Sequence, residues 1–247
     1  MDLLVDIGNT SLRWAWHVDG RLGEVGSVRH FGGLPIDLLA AWEAMERPAR
    51  ILVANVGGEA VAAALGRVCE GRWGLVPGFV RTEAEAFGVR IAYAEPARLG
   101  VDRWLALVAA RRHFPGDVLI VDAGTAITFD LLAADGRHLG GLILPGVEAM
   151  RDTLLRGTQI PRLEVPDRVD APVDRPWAED TAGAIGAATI QAPAALAERL
   201  QRTLAERTGG APRLLVTGGD GARLLPALPA GAELVADLVL RGLALVS

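Results

Sequence analysis

Two stretches of the chain carry the same order of apolar and polar positions. Residues 3–21, LLVDIGNTSLRWAWHVDGR, and residues 119–137, LIVDAGTAITFDLLAADGR, each open with a short apolar run that ends at aspartate. Each then passes through glycine and small hydroxyl residues and resumes as a second β-prone run. This pattern predicts a strand, a tight glycine turn and a second strand. Asp-Gly at 19–20 and 135–136 predicts the next turn, so each copy reads as a β-meander. The offset is 116 throughout, and seven of nineteen positions are identical, among them Val5/Val121, Asp6/Asp122, Gly8/Gly124 and Gly20/Gly136. A repeat on this scale predicts two related α/β half-domains, 1–115 and 116–247.

Helical periodicity fills much of the remainder. Residues 36–46 and 59–70 place apolar side chains at helical spacing, with a strand at Ile51–Ala54 between them. After Pro96, ARLGVDRWLALVAARRHF predicts a helix of about four turns that stops at Pro115-Gly116 and joins the halves. Residues 178–207 are helix-rich, with Pro193 expected to kink one helix or start another. Leu214–Val216 predicts a strand, followed by the turn Thr217-Gly218-Gly219-Asp220-Gly221 and an apolar helix. Leu234–Val246 reads as strand plus helix. The prolines at 161, 166, 172 and 176 predict an extended loop over 158–177, either a cover or a plain surface excursion.

Composition narrows the chemistry. All 25 basic residues are arginine, which removes every mechanism needing an amine, including the phosphate-loop and Schiff-base lysines. A net charge of −5 and a pI near 5.4 offer no global basic field for nucleic acid, so a small-molecule partner is expected. No apolar run nears the ~18 residues of a membrane span. The start Met1-Asp2 lacks the basic region of a secretory signal, and a cytoplasmic location away from membranes follows as the expectation. The single Cys69 forms no internal disulfide, and His17, His30, His113 and His138 show no metal-ligand spacing.

The duplicated turn is where chemistry is expected. A glycine turn between strands lets phosphate oxygens approach backbone N–H groups, and the hydroxyls at 9–11 or 125–128 add donors. Asp6 and Asp122 precede the two turns, and a carboxylate beside phosphate is tolerable only with a cation between them. The alternative is that each Asp-x-Gly merely closes a turn with a side-chain hydrogen bond.

Several motifs occur in one order along the chain: Asp6-Ile7-Gly8-Asn9-Thr10 with Arg13, Leu99-Gly100-Val101-Asp102-Arg103, and Val121-Asp122-Ala123-Gly124-Thr125-Ala126 with Thr128. Gly140–Gly146, Asp180-Thr181 and Thr217-Gly218-Gly219 follow. In this the chain resembles the type III pantothenate kinases, within the superfamily of actin, sugar kinases and the Hsp70 ATPase. The resemblance implies two duplicated ribonuclease-H-like half-domains with a nucleotide cleft between them, and ATP-dependent phosphorylation of pantothenate, the first step toward coenzyme A.

By the same resemblance, Asp6, Ile7, Gly8, Asn9, Thr10, Ser11, Leu12, Arg13 and Thr125 would contact ATP. Asp102 corresponds to the general base, and Gly100, Val101, Asp102 and Arg103 line the pantothenate site with Tyr93 and Thr181. Asp122 corresponds to the ligand of a monovalent cation, potassium or ammonium, and magnesium accompanies ATP. A homodimer is implied, with the cation and the Thr181 side of the pocket near the subunit boundary. The chain departs from the family pattern at Trp104–Leu107 and at Ala187-Ala188, where Ser-Gly is common. Two other readings are a catalytically idle ATP-binding regulator and a small kinase for another hydroxyl or carboxylate substrate.

Overall fold

A computed structural model of the chain describes residues 1–160 and 176–247. The bulk of the Pro-rich loop expected at 158–177 lies outside the described residues. The chain divides into two compact units, one of Met1–His113 with Asp237–Ser247 and the other of Phe114–Ala236.

In the first unit, β1 (Asp2–Ile7) pairs antiparallel with β2 (Ser11–Val18) and parallel with β5 (Arg50–Asn55). The short β3 (Arg21–Leu22) and β4 (Gly26–Arg29) both pair with β2, and β6 (Gly78–Phe79) lies beyond β5. Alternation along the strands puts Leu3, Val5, Ile7, Leu12, Ile51 and Val53 on one face. There they pack against Leu38 and Trp42 of α1 (Ile36–Glu43) and against Val61, Leu65, Cys69 and Trp73 of α2 (Glu59–Trp73). A small hairpin, β7 (Glu85–Ala86) and β8 (Val89–Arg90), precedes α3 (Val101–His113).

The second unit repeats the plan. Its sheet runs β11-β10-β9-β12-β13, from β9 (Val118–Ala123), β10 (Ala126–Leu132), β11 (His138–Pro145), β12 (Arg213–Thr217) and β13 (Glu233–Leu234). The first three strands are antiparallel, and β12 and β13 run parallel to β9. Leu119, Val121, Ala123, Ile127, Phe129 and Val216 pack against Ile190, Ala194 and Ala197 of α5 (Thr181–Thr208). α4 (Val147–Gly157) follows β11, and α6 (Gly221–Leu224) follows β12. Each half is thus the mixed sheet flanked by helices that the duplicated pattern predicts.

Two details differ from the sequence expectations, and one alternative left open at Pro193 is decided. The second half does not extend to the C-terminus: α7 (Leu238–Leu245) belongs to the first unit. Its buried Leu238, Leu240 and Leu243 need an apolar partner, and α3, buried from Leu105 through Ala110, supplies one beside β1. Helix α5 continues through Pro193 as one element instead of starting anew. The two Asp-Gly turns differ in form. Asp19 and Gly20 both have positive φ, 48° and 75°, the two-residue type I′ hairpin, whereas of the second pair only Gly136 does, at 88°. There Gly136 N–H donates to Ala133 O at 2.8 Å, and the ladder carries an irregularity at Leu131/Leu132.

Candidate active site

The first turn is built from the ends of four strands. Gly8 N–H donates to Ser11 O at 2.9 Å, closing the loop between β1 and β2. Val56 and Gly57, just past β5, donate their N–H groups to Ile7 O at 2.8 and 3.1 Å. Asn55 fixes that second loop, accepting from Gly57 N–H at 3.1 Å and donating to Gly58 O at 3.2 Å. A Cβ on Gly57 would collide with Gly8 O, so only glycine allows the two loops to meet. Asp6 is buried at the end of β1, with Arg13 as its cross-strand neighbour on β2. Asn9 is exposed at the tip.

Not every residue of the 6–13 stretch can present a side chain to a ligand. Ile7 and Leu12 are fully buried in the core, so a contact from either would come through its backbone. His30, which sequence spacing left without a role, is also buried here. It sits one residue past β4, with Nε2 at 2.8 Å from Gly8 O and its own N–H donating to Thr10 O at 2.9 Å.

The second turn repeats these bonds with different residues. Gly124 N–H donates to Ala126 O at 3.0 Å, Gly146 N–H to Thr125 O at 3.0 Å, and Asp220 N–H to Ala123 O at 2.9 Å. Asp122 is half-buried on β9, opposite Thr128 on β10 and Thr217 on β12. Its Oδ1 lies 2.5 Å from where a Cβ on Gly218 would stand, and Gly218 itself has φ of 88°. The β12–α6 loop therefore folds directly over the aspartate. Thr125 is exposed at the tip. The same sheet holds the buried His138, its Nε2 2.9 Å from Asp130 Oδ1.

Asp102 stands in the first turn of α3, where the helix dipole favours a carboxylate. Its Oδ1 accepts the Arg103 N–H at 2.8 Å. Arg103 is buried, donates from Nη1 to Tyr93 Oη at 3.2 Å, and carries its guanidinium 5.9 Å from the Tyr93 ring centroid. The loop before the helix is held by Thr82 Oγ1 donating to Leu99 O at 2.8 Å. Trp104, bulkier than the family pattern, is fully buried, with Phe87 edge-on at 6.0 Å between ring centroids. Val101 is buried as well, which leaves Asp102 as the accessible carboxylate of the motif.

The turn at 8–10 and the motif at 100–103 are joined through Val56. Its N–H bonds Ile7 O, and its Cγ1 lies 3.7 Å from the position of a Cβ on Gly100. Within the first unit the structure therefore brings together the phosphate-turn candidates, Asp102 and the Arg103–Tyr93 pair. In the second unit it brings together Asp122, Thr125 and the 217–221 loop. Thr181 is exposed as the first residue of α5, whose cap is Asp180, accepting the Gly183 N–H at 2.8 Å.

Comparison with known proteins places the chain in a family. The sequence profile of the type III pantothenate kinases matches residues 2–203. The chain belongs to the type III pantothenate kinase family. A type III pantothenate kinase of Nitrosococcus oceani is 40% identical over 253 residues, spanning 100% of this chain and 94% of the relative. Among solved structures, a Campylobacter jejuni protein described as a conserved Baf family transcriptional activator superposes with a TM-score of 0.58. It is 22% identical, with 99% of this chain and 96% of that one covered. A Sinorhizobium meliloti protein described as a 2-dehydro-3-deoxygalactonokinase superposes at 0.57, with 17% identity and coverage of 99% and 95%. These two similarities concern the fold alone. Membership of the kinase family rests on the sequence match.

Proposed function

We propose that the protein transfers the γ-phosphoryl group of ATP to the primary hydroxyl of pantothenate, giving 4′-phosphopantothenate and ADP. The observation that carries this reading is Asp102: an accessible carboxylate in its family motif, beside a buried Arg103–Tyr93 pair and linked through Val56 to the glycine turn after β1. Phosphoryl transfer asks for positioning and charge neutralisation, with a carboxylate to accept the hydroxyl proton. Asp102 is the carboxylate assigned to that proton. Arg103, held by Tyr93, offers a fixed cation for the carboxylate end of the acceptor. Gly8–Thr10 and Thr125 offer backbone and hydroxyl donors to the nucleotide phosphates.

Magnesium enters with ATP as part of that substrate and neutralises phosphate charge. We assign a monovalent cation, potassium or ammonium, to Asp122. The oxygens gathered there are the Asp122 carboxylate and the Ala123 and Ala126 carbonyls of the β9–β10 turn, an all-oxygen set suited to a hard cation. A homodimer is part of the same reading. Leu142 and Ile143 are exposed side by side on the edge strand β11, a feature that unpartnered edges avoid. The β-strand ladders and helices leave no described helix long and apolar enough to cross a membrane.

Mass spectrometry of the product from ATP and pantothenate tests the reaction. A mass gain of one phosphoryl group on pantothenate is expected, with glycerol, glucose and acetate unmodified in parallel. ADP release without phosphorylated pantothenate would instead point to another acceptor.

A further inference from the structure

His30 occupies, in the first unit, the place that Gly146 occupies in the second. The strand pairings fix the equivalence: Ser11 of β2 pairs with Arg29 of β4, and Ala126 of β10 pairs with Pro145 of β11, so the next residues are His30 and Gly146. Their backbones act alike. His30 N–H donates to Thr10 O at 2.9 Å and Gly146 N–H to Thr125 O at 3.0 Å. Their side chains cannot, because a Cβ on Gly146 would collide with Gly124 O and Thr125 O. The first turn has room for a side chain because it is one residue longer. Gly8 bonds to Ser11, three residues on, whereas Gly124 bonds to Ala126, two residues on.

The added side chain is fully engaged. Gly32 N–H donates to His30 Nδ1 at 3.4 Å, so Nδ1 is the acceptor and the ring proton sits on Nε2, pointing at Gly8 O 2.8 Å away. The peptide bonds here are trans, so a Gly8 carbonyl held toward the protein turns the Asn9 N–H the opposite way, toward the exposed tip. Ile7 O and Thr10 O are likewise occupied by protein donors. An anion reaching this turn meets amide dipoles with their carbonyl ends already satisfied.

We propose that His30 is a positioning residue for nucleotide binding, its Nε2–H holding the Gly8 carbonyl inward so that the turn presents its amide side to the phosphates. This rests on the reading that the turn at Gly8–Thr10 binds ATP. The role is one of holding: His30 is buried behind the turn and touches no substrate.

The test uses the full-length protein, a non-hydrolysable ATP analogue in calorimetry, and steady-state kinetics in both substrates. His30→Leu fills much of the ring's volume without a donor, and His30→Gln puts an amide N–H near the position of Nε2. His30→Leu is expected to weaken the analogue and raise KM for ATP about tenfold, the order of one lost buried hydrogen bond. KM for pantothenate should stay within about twofold, and His30→Gln should recover most of the loss. Equal rises in both KM values, or a Gln variant no better than Leu, would overturn the proposal by showing a general structural role. Thr10→Ala separates the underlying reading: if it leaves analogue affinity unchanged, nucleotide does not sit at this turn and the proposal falls with it. If Thr10→Ala weakens the analogue and His30→Leu does not, only the role of His30 fails. Should His30→Leu not fold, nitrogen NMR of the imidazole in the native protein decides the point. A proton on Nε2 supports the clamp, and a proton on Nδ1 instead excludes it.

Discussion

Asp102 carries its Oδ1 back over Gly100, so close that a Cβ on the glycine would stand 2.5 Å from it. The same oxygen accepts the Arg103 N–H at 2.8 Å. The glycine and the amide together select one orientation of the carboxylate. Gly100 has an ordinary backbone conformation, its φ outside the positive range, so alanine fits the main chain there and the burden falls on the Asp102 rotamer. Gly100→Ala is therefore expected to leave the melting temperature nearly unchanged while lowering kcat about a hundredfold, the scale on which ångström displacements act. Turnover within a factor of two of the parent would show that the orientation of Asp102 is unimportant.

Asp102→Asn keeps the shape and the Arg103 N–H bond while removing the proton acceptor. If proton acceptance by this carboxylate contributes as general bases do, kcat falls by about 10²–10⁴-fold. Affinity for an ATP analogue should hold, because the turn at Gly8–Thr10 is made by other bonds. The pair of measurements separates a base from a binding group: a loss of nucleotide affinity with little loss of turnover contradicts the assignment.

The strands and turns that carry the candidate site are legible in the sequence, and the reason is local. Asp6 and Asp122 mark the ends of strands whose apolar runs and glycine turns recur in register, and the motif at 100–103 is contiguous along the chain. What was not legible depends on partners far apart in sequence. His30 acquires its role from Gly8, twenty-two residues away, and from the strand pairing that makes it the counterpart of Gly146. The tripeptide Asp-Gly-Arg recurs at 19–21 and 135–137, yet it closes a two-residue turn in one unit and a longer one in the other. The difference starts upstream, where the first glycine turn is one residue longer and the irregularity at Leu131/Leu132 shifts the second ladder. Apolar residues at 238–243 predict burial but not the helix they pack on, so the return of α7 to α3 was beyond local pattern.

Cys69 gives a probe of the first core. It is fully buried between the sheet and α2, and burial pushes its thiol up to about 12. A thiol reagent at pH 8 should leave the native chain unmodified and titrate its single cysteine once denatured. The folded thiol holds its proton more tightly than the unfolded one. Its contribution to stability is whole below the unfolded value of about 8.5 and declines as pH rises from there toward 12. Denaturation midpoints from pH 8 to 10.5 should fall more steeply for the parent than for Cys69→Ala. Parallel slopes would mean the thiol ionises freely in the fold.

Assembly is tested by light scattering on a sizing column, where about twice 26.0 kDa is expected. Ile143→Glu places a charge on the exposed edge of β11 and should shift the protein toward 26.0 kDa, since an edge charge opposes strand-to-strand association. A monomeric parent would remove the dimer from the proposed function and leave Leu142 and Ile143 as exposed apolar residues without a partner.

The cation prediction joins Asp122 to the phosphates. Two negative groups at 4 Å repel by about 1 kcal/mol in bulk water and by several-fold more where water is partly excluded. Asp122 is half-buried and covered by the Gly218 loop, so an anionic phosphate drawn to the neighbouring Gly124–Thr125 turn needs a positive charge beside that carboxylate. Activity in sodium or Tris buffer should accordingly be low and should rise on adding potassium or ammonium. The gain should appear mainly as a lower KM for ATP, because the ion screens phosphate rather than the acceptor hydroxyl. Asp122→Ala removes both the repulsion and the ligand. It should keep some activity in sodium and lose the response to potassium. Rates independent of potassium in the parent, or a response that survives in Asp122→Ala, would leave this carboxylate as a brace for the Gly218 loop and place any cation elsewhere.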